Sequence, residues 1–205
     1  METEAIPQQK KGSSFDVRES VIPGDREEAV IRYTEAKNRL LSVSQWGEFA
    51  GEAADTFVLT DKDGNDLNRE AQEGDLVKIH LPGPRNLIGG GEDWVLIEKI
   101  YEERNKRLDE IFTAITIRPN LNPAAKNPAI AHFFGKYTTN TFLVCRHKME
   151  IVSSIHGRNE QTNTDTDWLD VIRNLMIAIP AKVGLSNAHW KRLAKGLICG
   201  EASGK

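Results

Sequence analysis

Six segments between residues 56 and 156 alternate apolar and polar side chains with the period of a β-strand, and this run constrains the fold most. The segments are 56–60, 75–81, 93–101, 110–118, 141–147 and 149–156. Turn-forming residues separate them, such as the hairpin signal Asp63-Gly64. Short links between successive strands favour antiparallel pairing. With a further alternating segment at 15–22, the sequence predicts an antiparallel sheet of about seven strands.

Helical spacing appears between the first two predicted strands. Asp25 and Glu28 have the spacing of a capping box, so we expect a helix to begin there. Val30, Tyr33 and Leu40 lie on its predicted buried stripe. A second short helical or turn segment is expected to follow before the next strand.

The most regular amphipathic pattern lies near the C-terminus. Its apolar residues recur at helical spacing: Trp168, Val171, Ile172, Leu175, Met176 and Ile179. Pro180 bends or ends this predicted helix, and Ser186 can cap a final helix that carries Trp190 and Leu197. We expect the helix beginning near Trp168 to cover the sheet, since a sheet packed on a helix buries this stripe.

Composition narrows the class of protein. The chain has 205 residues and a net charge of −3, which argues against a nucleic-acid binder. It has no apolar run long enough for a membrane span, and its polar start lacks the apolar centre of a secretory signal. Cys145 and Cys199 form no paired motif, which suits the reducing cytoplasm. We predict a disordered tail over 1–14 and a single α+β domain over 15–205.

This order of strand, two helices, six strands and an amphipathic helix resembles the helix-grip fold of START-like proteins, a superfamily of polyketide cyclases and lipid carriers. The resemblance covers residues 15–183 and implies a curved sheet around the C-terminal helix, with a cavity between them. Pro180 and the extra helix predicted over 186–199 depart from the pattern. The segments PGPRNLIGGGEDW and HGRNE also resemble stretches of bacterial proteins.

An alternative architecture is a small barrel. The segment GDLVKIHL, the glycine-rich loop after it and the segment DWVLIEKI also resemble an SH3-like barrel, to which the helices would add a separate layer. The helix-grip interpretation is preferred because one sheet packed on helices accounts for the whole chain.

The strongest polar cluster is the run from His156 to Glu160. If the strand continues, His156, Arg158 and Glu160 share one face, which brings together a proton-transfer group, an anion-binding group and a carboxylate. One hypothesis is that His156 and Arg158 face the cavity and orient a polar ligand group. The alternatives are an exposed strand end, or an internal salt bridge from Arg158 to Glu160, Asp165 or Asp167.

A second candidate region is the long proline-rich connection from Arg118 to Phe134, because long connections often bind ligands. Arg118, Phe133 and Phe134 are its candidate ligand-binding residues, although the two phenylalanines are also suited to anchoring the loop to the core. Trp46 and Trp94 are explained by core packing or, in a helix-grip fold, by a place at the cavity entrance.

The sequence gives little support for a nucleotide site, a metal site or a nucleophilic cysteine. The glycines at 89–91 lack the lysine and the following helix of a phosphate loop, so no nucleotide cofactor is expected. The five histidines have no metal-ligand spacing, so no metal is expected. Cys145 lies within an apolar strand, where a thiol usually packs rather than reacts.

The leading hypothesis is that the protein binds a small, mainly apolar ligand between sheet and C-terminal helix. One alternative is a protein–protein interaction module with a filled core. Another is a cyclase- or hydrolase-like enzyme that uses His156, with Glu160 as its acid–base partner.

Overall fold

The computed structural model describes residues 2–51, 56–80, 93–124, 138–160 and 183–200. The strands are β1 (Ser13–Val21), β2 (Thr56–Thr60), β3 (Leu76–His80), β4 (Asp93–Asn105), β5 (Glu110–Asn120), β6 (Thr139–His147) and β7 (Glu150–Glu160). The helices are α1 (Glu2–Ala5), α2 (Arg26–Leu41), α3 (Trp46–Phe49) and α4 (Val183–Cys199), and a 3-10 turn (Val43–Gln45) precedes α3.

All seven strands form one antiparallel sheet in the order β1-β7-β6-β5-β4-β3-β2. This confirms the predicted strand count and pairing, and every predicted strand overlaps an observed one. The order leaves β1 and β2 at the two edges of the described sheet, so the alternative of a closed barrel is wrong. Irregular registers after Ser13 in β1 and after Ile97 in β4 bend these strands.

Helix α2 begins where the capping residues predict. The Asp25 carboxylate accepts a hydrogen bond from the Glu28 backbone N–H at 2.8 Å, and the Glu28 carboxylate accepts one from Gly24 N–H at 2.9 Å. Tyr33 and Leu40 are buried as expected. Val30 is 45% exposed, so its predicted place in the buried stripe is wrong. Ala29 takes that place, one residue earlier on the helix.

Helices α2, α3 and α4 cover one face of the sheet, which we call the inner face. Helix α4 packs on β1 and β7 and against α2 and α3, and it buries Trp190, Leu193 and Leu197. The C-terminal helix on the sheet is therefore the segment predicted as an additional final helix. The predicted helix beginning near Trp168 lies outside the described residues.

The opposite side of the sheet, the outer face, carries a second apolar cluster. Its buried members are Phe112, Ala114, Leu143, Cys145 and Val152. Ala5 of α1 and Tyr101 of β4 pack against them. Both faces of the sheet therefore bury apolar side chains, so the middle strands have few exposed positions.

The first residues contact the sheet near the end of β7. The Asn159 side-chain oxygen accepts a hydrogen bond from the Lys10 backbone N–H at 2.5 Å, and the Asn159 amide group donates one to the Gln8 carbonyl at 3.0 Å. The segment predicted as a disordered tail thus includes a one-turn helix and hydrogen bonds to Asn159.

Candidate functional site

The structure places four of the sequence-predicted site residues on the outer face, away from α2, α3 and α4. They are Trp94, Arg118, His156 and Arg158. The residues next to them along the strands point to the other face, and some of these, such as Ile117 and Ile155, belong to the helix-covered core. His156 and Arg158 therefore lie on the face of the sheet opposite to α4. The hypothesis that they face the space beneath the C-terminal helix is wrong for this helix.

His156 is the middle member of a hydrogen-bonded chain of three side chains. Its Nδ1 lies 2.5 Å from Asp16 Oδ1, and its Nε2 lies 2.9 Å from Ser154 Oγ. Ser154 and His156 are two residues apart on β7 and so share a face, and Asp16 is paired directly with His156 across the β1–β7 ladder. Two hydrogen-bonded strands thus hold all three groups in place.

The charge of Asp16 decides the direction of these hydrogen bonds. Partial burial raises the pKa of the Asp16 carboxyl, but hydrogen bonds from His156 and Arg158 outweigh this, so the pKa lies below its ordinary value of 3.8. At neutral pH the carboxylate can only accept, so His156 Nδ1 carries the proton. In the neutral ring Nε2 is then an acceptor, and the Ser154 hydroxyl donates to it.

Arg158 forms an internal ion pair rather than an open anion-binding group. Its Nη2 donates to Asp16 Oδ1 at 2.6 Å, and its Nη1 donates to the carbonyls of Phe15 at 3.1 Å and Gly157 at 2.8 Å. The sequence indicates an internal salt bridge as one alternative, with partners at 160, 165 or 167. The observed partner is Asp16 on the neighbouring strand, which the spacing along β7 cannot show.

Glu160 lies on the other side of the sheet from His156. A Cβ added at Gly157 would come within 2.8 Å of Glu160 Oε1 and would also overlap the Phe15 ring, which packs against the helix-covered core. Asn159 has a φ of +58°, which breaks the alternation of the strand just before Glu160. Burial raises the pKa of Glu160. The two groups proposed as an acid–base pair therefore do not share a face.

The other candidates take mainly packing roles. Trp46 is buried, its indole N–H donates to the Leu40 carbonyl at 3.1 Å, and its ring lies 4.4 Å from that of Phe142. Trp46 thus belongs to the core rather than to a cavity entrance. Arg118 pairs with Glu98. Trp94 is buried on the outer face.

Phe133 and Phe134 lie outside the described residues. So do Asp165, Asp167 and the glycines at 89–91.

The inner face and α4 carry buried polar atoms that have no hydrogen-bond partner in the described part of the chain. Among them are Asn140 Oδ1, Ser153 Oγ and Trp190 Nε1. Asn140 precedes Phe142 by two residues on the inner face of β6, and the Trp190 ring lies 5.6 Å from the Phe142 ring. Sequence reasoning missed these groups. The available signal was polar Asn140 and Ser153 at strand positions whose neighbours of the same parity are Phe142 and Ile155.

Metal-binding clusters and membrane-spanning helices are both absent from the described residues. No group of three or more His, Cys, Asp or Glu side chains there is placed to hold a metal ion. None of the described helices is long and apolar enough to cross a membrane.

The sequence matches no family model and no curated protein. Among solved structures, the chain is similar to truncated norcoclaurine synthase from Thalictrum flavum, with 11% identity over 95% of this chain and 99% of that chain and a TM-score of 0.40. It is also similar to protein Ms6760 from Mycobacterium smegmatis, with 12% identity, coverage of 94% and 92%, and a TM-score of 0.38. It is similar as well to major latex-like protein 151 from Panax ginseng, with 10% identity over 83% of this chain and 98% of that chain and a TM-score of 0.31.

These similarities carry no site residue from those proteins to this chain. The chain's own elements, with α2 and α3 between β1 and β2 and α4 after β7, all on one face of a seven-stranded antiparallel sheet, have the helix-grip arrangement that the sequence predicts. The expected fold class is therefore confirmed.

Proposed function

We propose that the protein binds a small, mainly apolar ligand with one hydrogen-bonding group between the inner face of the sheet and α4. The observation that supports this is two buried atoms with no hydrogen-bond partner among the described residues, Trp190 Nε1 on α4 and Asn140 Oδ1 on the inner face of β6. The first is a donor and the second an acceptor. A hydroxyl group can accept from an indole N–H and donate to an amide oxygen, so it suits both kinds of atom.

The surroundings favour an apolar body for such a ligand. Phe142 is a core residue two positions from Asn140 on β6, and its ring lies 4.4 Å from the Trp46 ring and 5.6 Å from the Trp190 ring. Leaving a buried polar atom without a partner costs about 1–3 kcal/mol, which a bound hydroxyl would recover at each atom. We therefore propose Asn140 and Trp190, rather than His156 and Arg158, as the polar contacts of the ligand.

We propose that the protein acts in the cytoplasm. Cys145 and Cys199 are not joined in a disulfide, which suits a reducing compartment.

A matched pair of probes tests the binding proposal. We expect 1-naphthol to bind about tenfold more tightly than 1-methylnaphthalene in ligand-observed NMR, because the two differ by a hydroxyl in place of a methyl group and one hydrogen bond is worth about 1.4 kcal/mol. Trp190→Phe and Asn140→Leu should each reduce this preference. Native mass spectrometry of protein from its own host should show a bound small molecule.

Trp94→Phe is the matched control. The Trp94 indole N–H is also buried and has no hydrogen-bond partner within the described ranges, but it lies on the outer face. This variant should keep the preference for 1-naphthol. Equal binding of both probes by the wild-type protein, or an equal loss of preference in the Trp94 and Trp190 variants, would contradict the proposal.

A further inference from the structure

The hydrogen-bonded chain from Asp16 through His156 to Ser154 has the connectivity of a serine nucleophile with its base and orienting carboxylate. The carboxylate holds Nδ1, and the hydroxyl lies 2.9 Å from Nε2, within the reach required for proton transfer. Such constellations are recognised by geometry and role rather than by sequence order. The proposed ligand site lies on the opposite face of the sheet, so the two sites are independent.

The surroundings of Ser154 direct its hydroxyl at the imidazole. Ser154 is 4% exposed and its hydroxyl has one described hydrogen-bond partner, the imidazole, so its proton is directed at the base. The His156 side chain is 14% exposed and that of Asp16 is 59% exposed, so the chain of groups runs from solvent to a buried hydroxyl. Arg158 fixes Asp16 Oδ1 from a third direction.

We propose that Ser154 is a nucleophile that accepts an acyl group from an activated ester or thioester. Ser154 Oγ forms a bond to the acyl carbonyl carbon while its proton passes to His156 Nε2. The bond from that carbon to the leaving alcohol or thiol then breaks, and the leaving group takes the proton from Nε2. The products are acyl-Ser154 and a free alcohol or thiol, and water hydrolyses the acyl group by the reverse use of His156.

The position of Ser154 also sets the expected rate. β7 lies between β1 and β6, and its backbone N–H groups serve the two ladders rather than a developing oxyanion. Loss of one oxyanion donor costs about 10²–10³ in kcat in serine hydrolases. We therefore expect slow turnover. Because an activated ester has a better leaving group than the serine ester it forms, acylation should still outpace hydrolysis and reach close to one group per chain.

The test uses the full chain and p-nitrophenyl acetate. Release of p-nitrophenol should show a burst of about one equivalent, and peptide mass spectrometry should place the acetyl group on Ser154. Ser154→Ala should abolish the burst, and His156→Gln should slow it strongly. Asp16→Asn should slow it by up to about 10⁴-fold, because the amide favours the wrong imidazole tautomer.

Ser20→Ala is the control, since Ser20 is an exposed serine on the outer face of β1 and pairs with Val152. It should react like the wild-type protein. Asp16 lies on an edge strand with an exposed side chain, so its variant provides a test that leaves the buried groups unchanged. Acetylation confined to lysines, absence of acetyl-Ser154 in the wild-type protein, or an unchanged burst in the folded Asp16 variant would show that the three groups are only structural.

Discussion

Replacing Gly196 with alanine tests whether α4 is the helix that holds the sheet. A Cβ at this position would overlap the backbone carbonyl of Phe49, whose carbon would lie 2.6 Å away and whose Cα would lie 3.2 Å away. These are backbone atoms at the end of α3, so they cannot rotate aside as a side chain would. Helix α4 or α3 must therefore shift to admit the methyl group.

Two opposing effects determine the size of the loss. Overpacking costs about 1–3 kcal/mol, and a clash with backbone belongs at the upper end because the shift also disturbs fully buried Leu193 and Leu197. Alanine is better than glycine within a helix by about 1 kcal/mol. The net expectation for Gly196→Ala is a loss of about 2 kcal/mol in the free energy of unfolding.

Urea unfolding followed by circular dichroism measures this loss. Lys195→Ala is the control. Lys195 is the exposed neighbour of Gly196, so its replacement should change the free energy of unfolding by less than about 0.5 kcal/mol. If Gly196→Ala has the stability of the wild-type protein or a higher one, the close approach of α4 to α3 is refuted. The assignment of Val183–Cys199 as the helix that packs on the sheet would then also be wrong.

Two further predictions concern the inner face. The Tyr33 hydroxyl bonds Thr113 Oγ1 at 2.8 Å, and burial raises its pKa from 10.0 to about 12. Because the folded pKa is the higher one, this stabilisation is complete below pH 10 and is lost between pH 10 and pH 12, by about 2–3 kcal/mol. Urea unfolding at pH 8 and pH 11.5 should show this loss in the wild-type protein and a smaller one in Tyr33→Phe; equal losses would contradict it. Phe142→Ala should cost about 3–5 kcal/mol, since the ring is fully buried, whereas exposed Met149→Ala should change thermal unfolding little. Comparable melting temperatures for these two variants would contradict the central place of Phe142.

The strands and the start of α2 could be predicted from the sequence because their signals are local. Alternation along a strand requires only the side chains of that strand, and the Asp25 cap needs a partner three residues away. Val30 shows the limit of this reasoning, since a shift of one residue around a helix exchanges a buried position for an exposed one.

The candidate site could be predicted only in part. The outward alternation of Ser154, His156 and Arg158 follows from the period of β7, but their partner Asp16 is 140 residues from His156 along the chain. Only the register between β1 and β7 places it there. Glu160 leaves the shared face because one residue before it has a positive φ, which no hydrophobic pattern indicates.

The sequence by itself determined the number of strands, their antiparallel order along the chain and the α+β class, because period and capping are properties of short segments. The tertiary structure alone decided that α4 lies on the sheet, which face carries each polar group, and that Asn140 Oδ1 and Trp190 Nε1 are buried with no partner among the residues described. These outcomes depend on register and packing between distant segments. An apolar stripe, such as the one that begins at Trp168, indicates that a helix face is buried but not what covers it.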